Sequence, residues 1–124
     1  MDFSIDAALQ ADHNRLRAFV HDEIVPLEAD RKNYDSYGNI DMAVLQTLRV
    51  KVKAAGLWAP QISREQGGLG YEPTGMAVLY EAMNYSIFGP VSFNCAAPDD
   101  GNMYILNKVA NQAQKDRWLT PIIN

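Results

Sequence analysis

Apolar residues recur at helical spacing near the start of this chain. Leu9, Leu16, Val20, Ile24 and Leu27 follow one another at intervals of seven, four, four and three, which aligns them on one face of an α-helix. The pattern predicts a helix from about Ile5 to Ala29. Ser4 or Asp6 can serve as its N-cap, because a side-chain oxygen there accepts from an orphan backbone N–H. Pro26 has no N–H to donate and its ring clashes with the preceding turn, so it should kink or break this helix. Tyr34 to Ile40 is polar and reads as a loop turning at Gly38-Asn39.

A second helix is predicted from about Asp41 to Ala55, with Leu45, Leu48, Val52 and Ala55 as its apolar stripe. Asp41 suits the positive end of the helix dipole and Lys51 and Lys53 the negative end. Gly56 supplies the left-handed residue on which such helices end. Residues 57 to 72 form a loop whose character is set by Gly67, Gly68 and Gly70. A third helix opens near Pro73, a favoured first-turn residue, and buries Met76, Leu79, Tyr80 and Met83. Asn84 to Pro90 reads as a turn. A fourth helical stretch covers about Val91 to Ala110, interrupted by Pro98 and Gly101, with Met103, Leu106 and Ala110 inward in its second half. The last helix starts after Asn111, with Gln114 completing a possible capping box. Trp118, Leu119 and Ile122 fit its inner face, and Pro121 ends or bends it. No segment sustains a period of two, so the domain is read as all-α.

Composition narrows the classes of partner. The chain has 124 residues, one domain by size. It carries 11 basic and 15 acidic side chains for a net charge of −4. A nucleic-acid partner needs a basic face to meet phosphates, and an anionic membrane surface needs the same, so neither is expected. No run approaches the roughly 18 apolar residues that span a bilayer. Met1 to Asp6 has neither a basic region nor an apolar run of the kind found in signal peptides. The single cysteine forms no internal disulfide, and a cytoplasmic location is the expectation.

Candidate chemistry is sparse. Gly67-Gly68-Leu69-Gly70 lacks the preceding strand, the G-x-G-x-x-G spacing and the following Lys-Ser/Thr of phosphate loops, so it reads as a tight turn. His13 and His21 are eight residues apart, where a helical metal pair prefers three or four. Cys95 sits in an apolar run and reads as a buried, inert thiol. Asp99 and Asp100 are adjacent and diverge on a helix, a poor acid/base pair, and suit the start of a helix after Pro98. Glu81 is placed on a solvated or interdomain side. The residues alone supply no nucleophile, metal site or partnered base.

The order of several segments adds a family resemblance. Gly56-Leu57-Trp58-Ala59-Pro60 followed by Glu65-Gln66-Gly67-Gly68-Leu69-Gly70 resembles the acyl-CoA dehydrogenases. So do Val78-Leu79-Tyr80-Glu81-Ala82-Met83 and Ala113-Gln114-Lys115-Asp116-Arg117-Trp118-Leu119-Thr120-Pro121. The run from Phe93 to Met103 is similar to the long-chain subgroup that in some eukaryotes is fused to a kinase-like domain. The resemblance covers nearly the whole chain and implies a compact, orthogonal N-terminal domain of about five or six helices. In that family a central β-domain and a C-terminal helical bundle follow, with FAD between them. A C-terminal glutamate removes the α-proton of the thioester while flavin N5 accepts hydride from the β-carbon.

Carried onto this chain, the resemblance places the acyl-pocket lining at Phe93, Asn94, Ala97 and Gly101. Ala97 and Gly101 are small, which implies a deep pocket and a long acyl chain. No catalytic, cofactor-binding or metal-binding residue is implied among the 124. Residues 1–124 are expected to be the helical domain without the β-domain, the C-terminal bundle or the catalytic base. Alone, such a chain should neither bind FAD nor oxidise acyl-CoA. It should self-associate or meet the missing domains, with acyl-CoA as substrate in the full-length context. The alternative is a non-enzymatic helical binding module acting in trans with a partner chain.

Overall fold

The computed structural model describes residues 4–124; the reading of Met1 to Phe3 as free of a signal sequence lies outside them. Helix α1 spans Ala7–Phe19. Of the two candidate caps, Asp6 closes it, accepting from the backbone N–H of Ala8 at 3.0 Å and of Leu9 at 2.9 Å. The chain then stays helical but changes pitch. Val20–Ile24 is a π turn in which Val25 N–H reaches back to the carbonyl of Val20. Val25–Ala29 follows as a 3₁₀ turn. Pro26 lies in this turn, and its missing N–H explains why the α ladder does not continue through it. Leu9, Leu16, Val20 and Ile24 are buried as the spacing predicts.

Asp35 organises the following loop, its carboxylate accepting from the N–H of Tyr37 at 2.8 Å and of Asn39 at 2.9 Å. Gly38 takes φ +83° there. Helix α2, Met42–Ala54, is capped by Asp41. It ends on Gly56 at φ +67°, and Leu57 N–H returns to the Val52 carbonyl at 3.1 Å. Arg15 on α1 donates to the Ala55 carbonyl at 2.6 Å, tying the end of α2 to α1. Helix α3, Pro73–Met83, packs against α1 and buries Met76, Leu79, Ala82 and Met83.

Two boundaries differ from expectation. The turn after α3 ends at Phe88, and a short helix α4 occupies Gly89–Ser92. The helix expected over 91–110 is split between α4 and α5, Asp99–Val109. The break comes at Asn94, held at φ +62°, a left-handed conformation that no α-helix accepts. Gly101 causes no interruption; it lies inside α5. Asp99 and Asp100 occupy the first turn of α5, as predicted.

Helix α6, Gln112–Gln114, carries the full Asn111/Gln114 capping box. A π turn over Lys115–Leu119 leads into α7, Thr120–Ile123. Here Leu119 and Ile123 face the core, whereas Trp118, expected inside, is exposed. Neighbouring residues on a helix diverge by about 100°, so Trp118 and Leu119 do not share one inner face. The main core joins Leu16, Val20 and Ile24 with Leu48, Val52, Leu79, Met83, Phe88, Phe93 and Met103. Among the described residues no strand forms, only an isolated bridge between Tyr34 and Ile40, and the fold is all-α.

Candidate functional site

Phe93, Asn94, Ala97 and Gly101 divide into two pairs. Phe93 is fully buried, its ring edge-on to Phe19 at 5.8 Å. Its carbonyl accepts from Ala59 N–H at 3.0 Å. Asn94 is also buried, and its Nδ2 donates to the Ile122 carbonyl at 3.0 Å. Ala97 and Gly101 are exposed, Ala97 in the turn before α5 and Gly101 in its first turn. A Cβ built on Gly101 meets no atom within 4 Å. The first pair anchors the turn and the second faces outward.

Gly101 belongs to an exposed face of α5. Tyr104, Ile105 and Val109 are all exposed and recur from Gly101 at spacings of three, four and eight, on one side of the helix. Exposed Trp118 lies on the turn that packs against α5. The opposite side of α5 carries Met103, buried, and Leu106, half-buried, and the half-buried Ala110 follows as its C-cap.

The polar groups around the turn are donors and acceptors held in place rather than reacting groups. Tyr80 donates its hydroxyl proton to the Cys95 carbonyl at 3.0 Å. Burial pushes the Tyr80 phenol well above its ordinary value, with Cys95 and Asp100 adding to the effect. Burial also pushes the Cys95 thiol up, helped by the Asp100 carboxylate. The thiolate is therefore disfavoured and the thiol inert. Gln61 crosses the turn, donating from Nε2 to the Asn94 carbonyl at 2.8 Å and to Asp100 Oδ1 at 3.0 Å. Its Oε1 accepts from Cys95 Sγ at 3.1 Å. Reading the sequence missed Gln61 and the Tyr80 hydroxyl, because periodicity reports burial and neither role depends on it.

The glycine loop is structural. Gly67 N–H bonds the Arg64 carbonyl, Gly68 N–H the Ser63 carbonyl and Gly70 N–H the Ile62 carbonyl, so these donors are not free to cradle a phosphate. The loop borders a cleft of about 380 Å³ with Lys53, Trp58, Ile123 and Asn124. His21 is exposed and paired to Asp22 at 2.9 Å, while His13 contacts Asn14. Among the described residues no group of His, Cys, Asp and Glu is placed to hold a metal. No helix among them is long and apolar enough to cross a membrane.

The buried polar side chains Ser86, Ser92 and Asn94 are hydrogen bonded within the chain. Among the described residues the buried side-chain nitrogen left without a partner is Arg49 Nε, on a guanidinium lying over the Trp58 ring.

Comparison with known proteins bears on the same segments. The family model for the acyl-CoA dehydrogenase N-terminal domain matches residues 8–124. FadE2 of Mycobacterium tuberculosis, described as a probable acyl-CoA dehydrogenase, is 34% identical over all of this chain and 31% of its own length. Mouse acyl-CoA dehydrogenase family member 10 is 30% identical over 96% of this chain and 12% of its own. A solved Mycobacterium abscessus structure assigned as an acyl-CoA dehydrogenase superposes with a TM-score of 0.81 at 31% identity, over 98% of this chain and 32% of that one. The chain thus spans about a third or less of the relatives it matches.

Proposed function

Because the chain belongs to the acyl-CoA dehydrogenase family, with residues 8–124 matching its N-terminal domain, we propose that it forms one wall of the acyl pocket in a flavin-dependent acyl-CoA dehydrogenase. The observation that carries this reading is the division of the turn at the start of α5. Phe93 and Asn94 fix it from within, and the small Ala97 and Gly101 stand exposed, one before α5 and one in its first turn. A wall of that kind presents little bulk to a long apolar chain. The exposed apolar residues of α5 continue from Gly101 and form the surface we assign to the rest of the enzyme. Patches of this type mark contact with another surface.

The chemistry of such an enzyme, removal of the α-proton and transfer of hydride to the flavin, belongs to groups outside the described residues. The contribution of this chain is to bind and orient the acyl tail and to keep water from it. Alone, it is read as catalytically silent and free of flavin. Flavin absorbance in the purified 124-residue chain would contradict that part. For the flavin-containing enzyme that carries this domain, activity across a series of acyl-CoA thioesters is the test. The preferred substrate is long-chain, and a profile peaking at short acyl groups overturns the assignment.

A further inference from the structure

We propose that Gln61 is the positioning residue of the acyl-facing turn, a side-chain clamp across Asn94–Asp100 that fixes where Ala97 and Gly101 stand. The proposal rests on the reading of that turn as acyl-facing, but its test does not. The turn has left-handed Asn94 at one end and the first turn of α5 at the other. Between them lie Cys95, Ala96, Ala97 and Pro98, outside any helix. Such a segment needs its backbone groups satisfied from elsewhere. The Asn94 and Cys95 N–H groups bond back to the Val91 and Pro90 carbonyls of α4, and three donors to the carbonyls come from elsewhere in the chain: Ala59 N–H to that of Phe93, the Tyr80 hydroxyl to that of Cys95, and the Gln61 amide to that of Asn94.

Of these, Gln61 alone holds both ends. Its amide N–H groups reach the Asn94 carbonyl and the Asp100 carboxylate, and its oxygen accepts a hydrogen bond from the Cys95 thiol. The orientation is forced, because a carbonyl and a carboxylate only accept and must face the NH₂. One of the bonds involves an ionised acceptor, the stronger class. Ala97 lies inside the clamped interval, and Gly101 follows Asp100 directly. Loss of the clamp frees the interval from one side without removing any core side chain.

Cys95 reports on this motion, since its thiol is buried and hydrogen bonded to Gln61 itself. The experiment measures the rate at which Ellman's reagent labels Cys95 in the full 124-residue chain, at several low urea concentrations. In Gln61→Ala the rate should rise by about ten-fold or more, as expected for losing a charge-assisted bond, and the increase should not depend on urea, the mark of a local opening. Gln61→Glu places a second carboxylate against Asp100 and should label at least as fast. Adding Asp100→Asn to Gln61→Glu restores a donor facing an acceptor at that end only, so labelling should fall part of the way back toward the wild-type rate while the Asn94 carbonyl still lacks its donor. Wild-type labelling in Gln61→Ala overturns the proposal. So does an increase that follows the urea dependence of global unfolding, or a double variant that shows no recovery. If the acyl-chain profile fails while labelling behaves as stated, the pocket reading falls and the clamp stands.

Discussion

The indole Nε1 of Trp58 donates to the carbonyl of Ile123 at 2.6 Å. This bond joins the loop after α2 to the last helical turn, across 65 residues of sequence. The same ring lies under the Lys53 ammonium at 4.4 Å, and Lys53 also donates to the Asn124 carbonyl. Trp58 is therefore a latch for the C-terminal segment as well as a core side chain. Trp58→Phe keeps most of the apolar contact and leaves the Ile123 carbonyl without its donor, so it should cost about 1–2 kcal/mol. Thermal denaturation measures the loss, and hydrogen exchange should show α7 loosening first. Unchanged exchange in α7 would mean that apolar packing alone holds it.

The loop glycines separate by mechanism. A Cβ on Gly68 would lie 2.1 Å from the Ile62 carbonyl oxygen and 2.4 Å from that of Ala59. Both obstacles are backbone, so Gly68→Ala must displace the loop and should cost about 3 kcal/mol. At Gly67 no atom lies within 4 Å of the added carbon, and only the φ of +93° resists it. Gly67→Ala should cost about 1–2 kcal/mol. Urea midpoints of the two variants compare them directly. Equal losses would contradict the close backbone approach at Gly68.

Stability should fall at both pH extremes for identifiable reasons. Burial acts to raise the Asp35 pKa, but hydrogen bonds from Asn39, Tyr37 and Gly38 outweigh it and hold the carboxyl below its usual value. A depressed carboxyl stabilises the fold above its unfolded pKa, and that contribution disappears as pH falls through the folded pKa. Asp35→Asn should flatten the acid limb of the melting-temperature profile. Burial raises Tyr71 to about 12, and its hydrogen bond to Asp12 adds to the shift. Its contribution is fully present below the ordinary value of 10.0 and is lost as pH rises toward about 12. Tyr71→Phe should remove that alkaline decline and leave the acid limb unchanged.

Much of the fold was legible because local rules and tertiary packing agree. Asp6, Asp41 and Asn111 all cap the helices that they precede in sequence. The stripe from Leu9 to Ile24 stays buried although the helix changes pitch at Val20. The errors fall where a long-range contact decides. Asn94 adopts its left-handed conformation while bonded to Ile122 and under the Gln61 amide, partners that no local pattern shows. Trp118 is apolar at a helical position, yet the π turn leaves Leu119 as the inward residue. Of the candidate site, the identities of Phe93, Asn94, Ala97 and Gly101 came through family resemblance. Their division into anchors and exposed wall is visible only in three dimensions.

Gly101 gives the most direct test of the pocket assignment. Nothing within 4 Å opposes a side chain there, and the residue lies within α5. Gly101→Leu should stabilise the helix by about 0.5–1 kcal/mol, because leucine loses less backbone freedom than glycine. In the flavin-containing enzyme that carries this domain, the new side chain enters the proposed acyl path. The decisive measurement is the acyl-chain-length profile of Gly101→Leu beside its melting temperature. The account predicts a raised melting temperature together with a shift of preference to shorter acyl groups. A raised melting temperature with an unchanged profile would show that this face of α5 does not meet the acyl chain.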